Sequence, residues 1–451
     1  MMEEKQLFGT NGVRGVVGES MTPGLVLRIG QALGSMRPGT IAIGRDTRTS
    51  GPILVDALKA GLMATGCDVV DCGVLPTPAL QYIVRDTFAA GAMITASHNP
   101  PEYNGVKIVE RDGTEMGDAE VIALEGRLVR EEYTLAGWRD LGAERAAPEL
   151  VERYIDGILE HFPEEVGAGM IVAVDPGSGP AALTTPALLS RMGCKVHAIN
   201  AQPDGTFPGR MPEPTADGLK TLAELVLETG AAFGVAHDGD ADRAVFVDDR
   251  GRFVEENREF ALIARHVCGG RQGVIVTPVS TSQLIEDVAA ATGCTVRYTR
   301  VGSIYVARTM LGLIAAGIPV AFGGEGNGGL IYPDHQFCRD GGMTAAMMIG
   351  MLAEAGRPLS ALVDELPPYH FISKRIHTQR PDEVIAAVEA AFPDFSADRT
   401  DGVRIAKGKT WALVRRSGTE PIVRVMVEAE DRPSAEAMRD AILERVAPLI
   451  V

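Results

Sequence analysis

The sequence predicts an α/β chain of three similar α/β domains with mixed sheets, followed by a smaller C-terminal α+β domain. Three observations carry this expectation. A strand–helix–strand pattern occurs three times, each copy closing on Gly-Cys before its second strand. The first strand of each copy is continuously apolar, as in a parallel-sheet strand covered on both faces. Past about residue 370 the pattern gives way to a denser alternation of strands and helices, two of the strands joined by a short turn.

The first copy runs from Thr40-Ile41-Ala42-Ile43-Gly44-Arg45-Asp46 to Gly66-Cys67-Asp68-Val69. The second runs from Ile171-Val172-Ala173-Val174-Asp175-Pro176 to Gly193-Cys194-Lys195-Val196, the third from Gly273-Val274-Ile275-Val276-Thr277-Pro278 to Gly293-Cys294-Thr295-Val296. Gly before Cys suits a helix end, where a left-handed residue is favoured. The Cys then reads as a small core residue entering the next strand. In the C-terminal part, strands are expected at Phe371–Ile376, Trp411–Arg415 and Ile422–Glu428, with helices over Glu383–Phe392 and from about Pro433 to Val446. The Gly/Pro-rich stretch Pro203–Gly209 is a loop inside the second domain. The expected domains are 1–150, 151–252, 253–369 and 370–451.

Composition agrees with that size. At 451 residues, 45% hydrophobic and 23% charged, the chain has the balance of a soluble globular protein with two to four domains. Its 43 basic against 60 acidic residues give a net charge of −17, which repels nucleic-acid backbones, so no nucleic-acid partner is expected. The opening Met1-Met2-Glu3-Glu4-Lys5 lacks a cationic start followed by an apolar core, so no signal peptide is expected. No apolar run approaches the ~18 residues of a membrane span. The six cysteines form no Cys-x-x-Cys pair and read as buried thiols of a cytoplasmic protein. Oligomeric state has no signature in the sequence.

Four segments carry chemistry. Asp238-Gly239-Asp240-Ala241-Asp242-Arg243 follows an apolar strand and places three carboxylates at alternate positions, able to turn toward one hard cation. An EF-hand would need Gly and Glu where Arg243 and Asp249 stand, so that reading fails. Magnesium fits better, since it keeps positions open for phosphate oxygens. Thr95-Ala96-Ser97-His98-Asn99-Pro100-Pro101 places a serine at a strand end. The Gly-x-Ser-x-Gly of a serine hydrolase is absent, so the hydroxyl needs a base or prior covalent modification. Gly323-Gly324-Glu325-Gly326-Asn327-Gly328-Gly329, expected as a loop after the strand Val320-Ala321-Phe322, offers Glu325 and Asn327 to hydroxyls. Arg415-Arg416-Ser417-Gly418-Thr419-Glu420-Pro421 joins Arg, hydroxyls and backbone N–H groups as a phosphate needs. Near the start, Gly9-Thr10-Asn11-Gly12-Val13-Arg14-Gly15 adds a Gly-rich loop with one Arg. Each segment alone also has an ordinary structural reading, as a turn or a solvated charge cluster.

Together, in their order along the chain, the five segments resemble the α-D-phosphohexomutase superfamily over essentially the whole chain. The resemblance implies four domains around a central cleft. It implies Ser97 as the phosphorylated nucleophile, with Asp238, Asp240, Asp242 and the Ser97 phosphate holding Mg²⁺. Arg14, Lys107 and Arg243 would surround the transferring phosphoryl group and its proton transfers. Glu325 and Asn327 would bind sugar hydroxyls, Arg415, Ser417, Gly418 and Thr419 would grip the non-reacting phosphate, and Gly328 and Arg424 would also be substrate-binding. A hexose 1,6-bisphosphate would be the intermediate and activator.

The run from Arg415 to Glu428 and the opening Phe8–Gly15 are most like archaeal phosphoglucosamine mutases. The expected reaction is therefore interconversion of glucosamine 6-phosphate and glucosamine 1-phosphate. Phosphomannomutase/phosphoglucomutase activity on mannose or glucose phosphates is the alternative. Asn327 and Gly329 stand where many members carry Ser and His, which leaves the sugar preference open. A non-catalytic sugar-phosphate sensor is the minor alternative, and the intact Ser97, aspartates, Lys107 and Arg243 oppose it.

Overall fold

The computed structural model describes residues 7–9, 12–416 and 422–450. The chain divides into two compact units. One runs up to Glu255 and adds Gly328–Ala361; the other holds Glu256–Asn327 and the chain from Leu362 onward.

The first unit contains two sheets. Six strands lie in the order Val13–Val16, Tyr103–Glu110, Ala90–Ile94, Ile41–Arg45, Val69–Val74, Glu144–Ala146. The inner strands Ile41–Arg45 and Ala90–Ile94 pair in parallel, and Tyr103–Glu110 returns antiparallel with Met93 opposite Lys107. The sheet is mixed, and its core gathers Ile41, Ile43, Ala90, Ala92 and Ile94 against Ile29, Leu33, Leu54 and Leu58 of the helices Pro23–Met36 and Gly51–Met63. Pro23 opens the first helix, where its missing N–H costs nothing, and the Thr22 hydroxyl caps the Leu25 amide at 3.3 Å. The second sheet has the order Phe253–Val254, Ala244–Asp248, Phe233–His237, Ile171–Asp175, Lys195–Ala198. Its first three strands are antiparallel neighbours and its last three parallel ones. Helix Gly341–Ala355, though late in the chain, belongs to this unit.

In the second unit, strands Thr295–Thr299, Val274–Pro278 and Val320–Glu325 run parallel in that order. A five-stranded antiparallel sheet follows: His370–His377, Ile422–Ala429, Thr410–Arg416, Val403–Lys407, Ser396–Asp398. Helices Pro381–Ala391 and Arg432–Val446 share its apolar core through Val384, Val388 and Ile442.

All three repeated units occur as expected. Gly66, Gly193 and Gly293 take φ values of 84°, 91° and 76°, the left-handed geometry that stops a helix. All six cysteines are buried and free. Two corrections stand. Gly323, Gly324 and Glu325 lie within a strand, not a loop, because the ladder continues from Val276 to Gly323, where a side chain would meet the Val276 carbonyl at 2.8 Å. The C-terminal sheet also has strands Ser396–Asp398 and Val403–Lys407 that the sequence reading lacked. Among the described residues no helix is long and apolar enough to cross a membrane.

Candidate active site

The strand Ala90–Ile94 is buried along its whole length, and Ser97 stands three residues past its end. Ser97 is buried with φ at +50°, a left-handed conformation unusual for a residue with a side chain. Its amide donates to Thr95 Oγ1 (2.9 Å), and its own hydroxyl donates to Asp238 Oδ2 (2.8 Å).

Asp238 begins the turn between the antiparallel strands Phe233–His237 and Ala244–Asp248. His237 Nδ1 meets the Arg243 carbonyl across that turn at 2.9 Å, and Ala241 takes φ +59°. The turn brings one oxygen each of Asp238, Asp240 and Asp242 within 4.8 Å of one another, all three residues buried. Two of these carboxylates are divided in their bonding. Asp240 Oδ2 accepts from Lys107 Nζ (2.6 Å) and Thr77 Oγ1 (2.5 Å), and Asp242 Oδ2 accepts from Lys107 Nζ (3.2 Å) and Arg339 Nη2 (2.5 Å). Among the described residues, the Oδ1 atoms of both are buried without a hydrogen-bond partner. Buried carboxylate oxygens that no donor reaches are available to ligate a cation. An all-oxygen, three-carboxylate set suits a hard divalent ion.

Electrostatics tell the same story. Burial, then the charges of Asp242 and Asp240, push the Asp238 carboxyl up to about 8. Burial would raise Asp240 and Asp242 too, but Lys107 holds the first low, and Arg339 followed by Lys107 holds the second low. Lys107 is buried, which disfavours its charge, yet Asp240 and Asp242 keep it protonated. At Asp238 burial and the two neighbouring carboxylates outweigh Arg243, whose Nε lies 3.9 Å away, and a divalent ion would relieve that repulsion.

Around this group, Arg14 from strand Val13–Val16 donates to Asn99 Oδ1 (2.9 Å). Arg243 donates to Glu213 Oε1 (3.0 Å) and to His98 Nδ1 (2.7 Å). His98 therefore accepts at Nδ1, and burial followed by Arg243 and Arg14 lowers its pKa to about 3. A neutral imidazole held this way orients Arg243.

The structure thus brings together Ser97, Lys107, Arg14, Arg243 and the three aspartates. Gly328 belongs to the same unit, packed so closely that a side chain would meet the Ala244 carbonyl at 2.6 Å. Glu325, Asn327, Arg415 and Arg424 lie in the second unit. There Glu325 ends its strand, its carbonyl accepting from the Asn327 amide at 2.7 Å. Arg415 and Arg424 face each other across paired strands, Arg415 also bonded to Asp401 (3.0 Å). Ser417, Gly418 and Thr419 lie outside the described residues. Sequence reasoning missed Thr77 and Arg339, whose carboxylate partners are 163 and 97 residues away in the chain.

Four family models match the chain in order. The phosphoglucomutase/phosphomannomutase alpha/beta/alpha domains I, II and III match residues 5–135, 152–251 and 255–369, and the C-terminal domain matches 375–445. A phosphoglucomutase/phosphomannomutase of Thermococcus kodakarensis is 43% identical over 448 residues, covering 95% of this chain and 96% of that protein. A probable phosphoglucosamine mutase of Methanopyrus kandleri is 41% identical over 452 residues, covering 97% of each. The crystal structure of a phosphoglucomutase/phosphomannomutase family protein from Burkholderia thailandensis superposes with a TM-score of 0.88 at 26% identity, over 99% of this chain and 98% of that one.

Proposed function

Since the chain belongs to the phosphoglucomutase/phosphomannomutase family, we propose that this phosphohexomutase interconverts glucosamine 6-phosphate and glucosamine 1-phosphate. As an intramolecular phosphotransferase of the isomerase class, it would work through phosphorylated Ser97 and a sugar 1,6-bisphosphate. The observation that carries the reading is the Ser97 hydroxyl 2.8 Å from Asp238 beside two carboxylates with unpartnered oxygens. A buried hydroxyl in that setting is poorly served as a free alcohol and well served as a phosphate carrier.

Asp238, Asp240, Asp242 and the Ser97 phosphate would hold Mg²⁺. When bound, the ion supplies charge neutralisation for the phosphoryl oxygens. The chain's own residues do the rest. A sugar hydroxyl would attack the phosphorus as the Ser97 Oγ–P bond breaks; Ser97 Oγ would take a proton from Lys107, and Lys107 would take the attacking hydroxyl's proton in return, so the exchange closes with no net proton. Lys107, Arg14 and Arg243 bring positive charge around the phosphoryl group, and a protonated Lys107 can serve that transfer as donor. Glu325, Asn327 and Gly328 would bind the sugar. Arg415, Ser417, Gly418, Thr419 and Arg424 would hold the phosphate that is not reacting. The six unpaired thiols support a cytoplasmic enzyme.

The sugar assignment rests on the probable phosphoglucosamine mutase of M. kandleri and the phosphoglucosamine-mutase character of the Arg415–Glu428 run. Mannose or glucose phosphate is the second reading, favoured by the T. kodakarensis relative's name. Coupled isomerisation assays on the 6-phosphates of glucosamine, mannose and glucose decide between them. The highest kcat/KM is expected on glucosamine 6-phosphate, and a preference for mannose or glucose phosphate would overturn the assignment.

A further inference from the structure

Arg48 is fully buried two residues past Asp46, beyond the end of the central strand Ile41–Arg45. All five of its guanidinium N–H groups are in use. Nε donates to Asp46 Oδ2 (3.1 Å), Nη1 to the carbonyls of Pro100 (2.6 Å) and Tyr103 (2.8 Å), and Nη2 to those of Ser97 (2.7 Å) and Asn99 (2.6 Å). Four of the five acceptors are therefore backbone carbonyls of the nucleophile loop. Such a fork is specific to Arg, since an ammonium has three donors and no fixed plane.

The partner of Arg48 grips the same serine from its other side. Asp46 Oδ2 accepts from Thr95 Oγ1 (2.6 Å), and that hydroxyl in turn accepts from the Ser97 amide (2.9 Å). Ser97 is thus held at its N–H through Asp46 and at its C=O through Arg48, while its φ stays at +50°. A non-glycine residue keeps that conformation only when its surroundings over-determine it.

The Gly/Pro-rich stretch 203–209 of the second domain closes over this group. Gly205 bridges to Arg48, and a side chain there would lie 2.2 Å from the Thr47 carbonyl, so only glycine permits the approach. The Phe207 ring centroid lies 5.3 Å from the Arg48 guanidinium carbon, within cation–π range. The metal loop approaches the same carbonyl, since a side chain at Gly239 would sit 2.2 Å from Ser97 O.

Resting on the phosphoserine reading, we infer that Arg48 is a positioning residue. It holds the Ser97 backbone so that Oγ faces Asp238, and the 203–209 loop locks it in place. It touches no substrate, so its loss acts on the transfer step and not on sugar binding.

The test is Arg48→Lys, which keeps the charge and removes the fork. Three quantities are read: kcat and KM for the best hexose phosphate, the melting temperature, and the rate at which glucose 1,6-bisphosphate phosphorylates Ser97, by intact mass. A misplacement of about 1 Å costs roughly 10²-fold in rate, so kcat and the phosphorylation rate should both fall by about that factor. KM should stay within about threefold. Unchanged kcat in folded Arg48→Lys, or a rise in KM alone, would overturn the inference. Thr95→Val provides the second arm if Arg48→Lys does not fold. It cuts the Asp46 link while leaving Arg48 in place, and it should lower kcat with KM held; wild-type kcat there overturns the inference. Wild-type protein that neither turns over nor accepts phosphate on Ser97 would overturn the phosphoserine reading itself, and this inference with it.

Discussion

Asp240 has one oxygen held by Lys107 and Thr77 and the other buried without a partner. That asymmetry makes its two oxygens separable by mutation. Asp240→Asn removes the charge that a divalent ion would meet, and the metal-binding affinity is expected to fall by more than the roughly 10–100-fold typical of losing an outer partner alone. Thr77→Val removes only such a partner and should cost within that range. Manganese titrations followed by electron paramagnetic resonance measure both, and equal affinity in wild type and Asp240→Asn would rule the triad out as the metal site. The three aspartates were legible because alternate acidic positions after an apolar strand are a local pattern. Ser97 was visible at a strand end, but its role came only from the resemblance, because a serine in a structural turn reads the same way locally. Thr77, Arg339 and Arg48 were not legible: a Thr opening a helix, or a single Arg in a loop, looks ordinary until the fold brings its distant partner to it.

At the scale of elements, helix Gly341–Ala355 is started by Asp340. One carboxylate oxygen accepts from the Met343 amide (2.9 Å) and the Tyr154 hydroxyl (2.5 Å), the other from Gln336 Nε2 (2.7 Å). Burial alone would raise the Asp340 pKa, but His335, the Met343 amide and Tyr154 bring it below the ordinary value. A depressed carboxyl stabilises the fold fully above its unfolded pKa of about 3.9 and loses that contribution as pH falls through the folded value. Asp340→Asn keeps a capping side chain but cannot titrate. The stability gap between wild type and Asp340→Asn is therefore expected to shrink as pH drops below about 4, read by calorimetric melting at a series of pH values. A gap independent of pH would show that the carboxylate charge contributes nothing. The repeated units were legible because their apolar strands and Gly-Cys closures are periodic. Strands Ser396–Asp398 and Val403–Lys407 escaped because the first is three residues long and mostly exposed, and the second buries a charge. Arg404 stays buried there between the rings of Tyr298 and Trp411, at 4.8 and 4.9 Å. A cation between two aromatic faces reads in sequence as a surface residue.

At the scale of the whole molecule, a chain of net charge −17 concentrates Lys107, Arg14, Arg243 and Arg339 around one buried hydroxyl. The carboxylates Asp238, Asp240, Asp242 and Glu213 offset these cations, and a divalent ion held by the aspartates would give the site the positive charge that suits a small anionic substrate. One serine, however, cannot move phosphate between the two ends of a sugar unless the sugar presents each end in turn. Ser97 would give its phosphoryl group to the free hydroxyl, leaving a sugar 1,6-bisphosphate, and then receive the other phosphate after the sugar has turned over. Both half-reactions use the same Ser97 Oγ, so enzyme lacking phosphate there is at a dead end with a monophosphate substrate. Adding hexose 1,6-bisphosphate should restore it, because that molecule is the partner of the unphosphorylated state. The expected result is negligible turnover of dephosphorylated enzyme alone, recovery of activity with catalytic amounts of glucose 1,6-bisphosphate, and a phosphate on Ser97 by intact mass. Ser97→Ala should gain neither activity nor mass under the same conditions, while keeping its fold, because a single hydroxyl contributes little packing. Full turnover by dephosphorylated enzyme without bisphosphate, or by Ser97→Ala, would exclude a route in which one serine carries phosphate for both half-reactions.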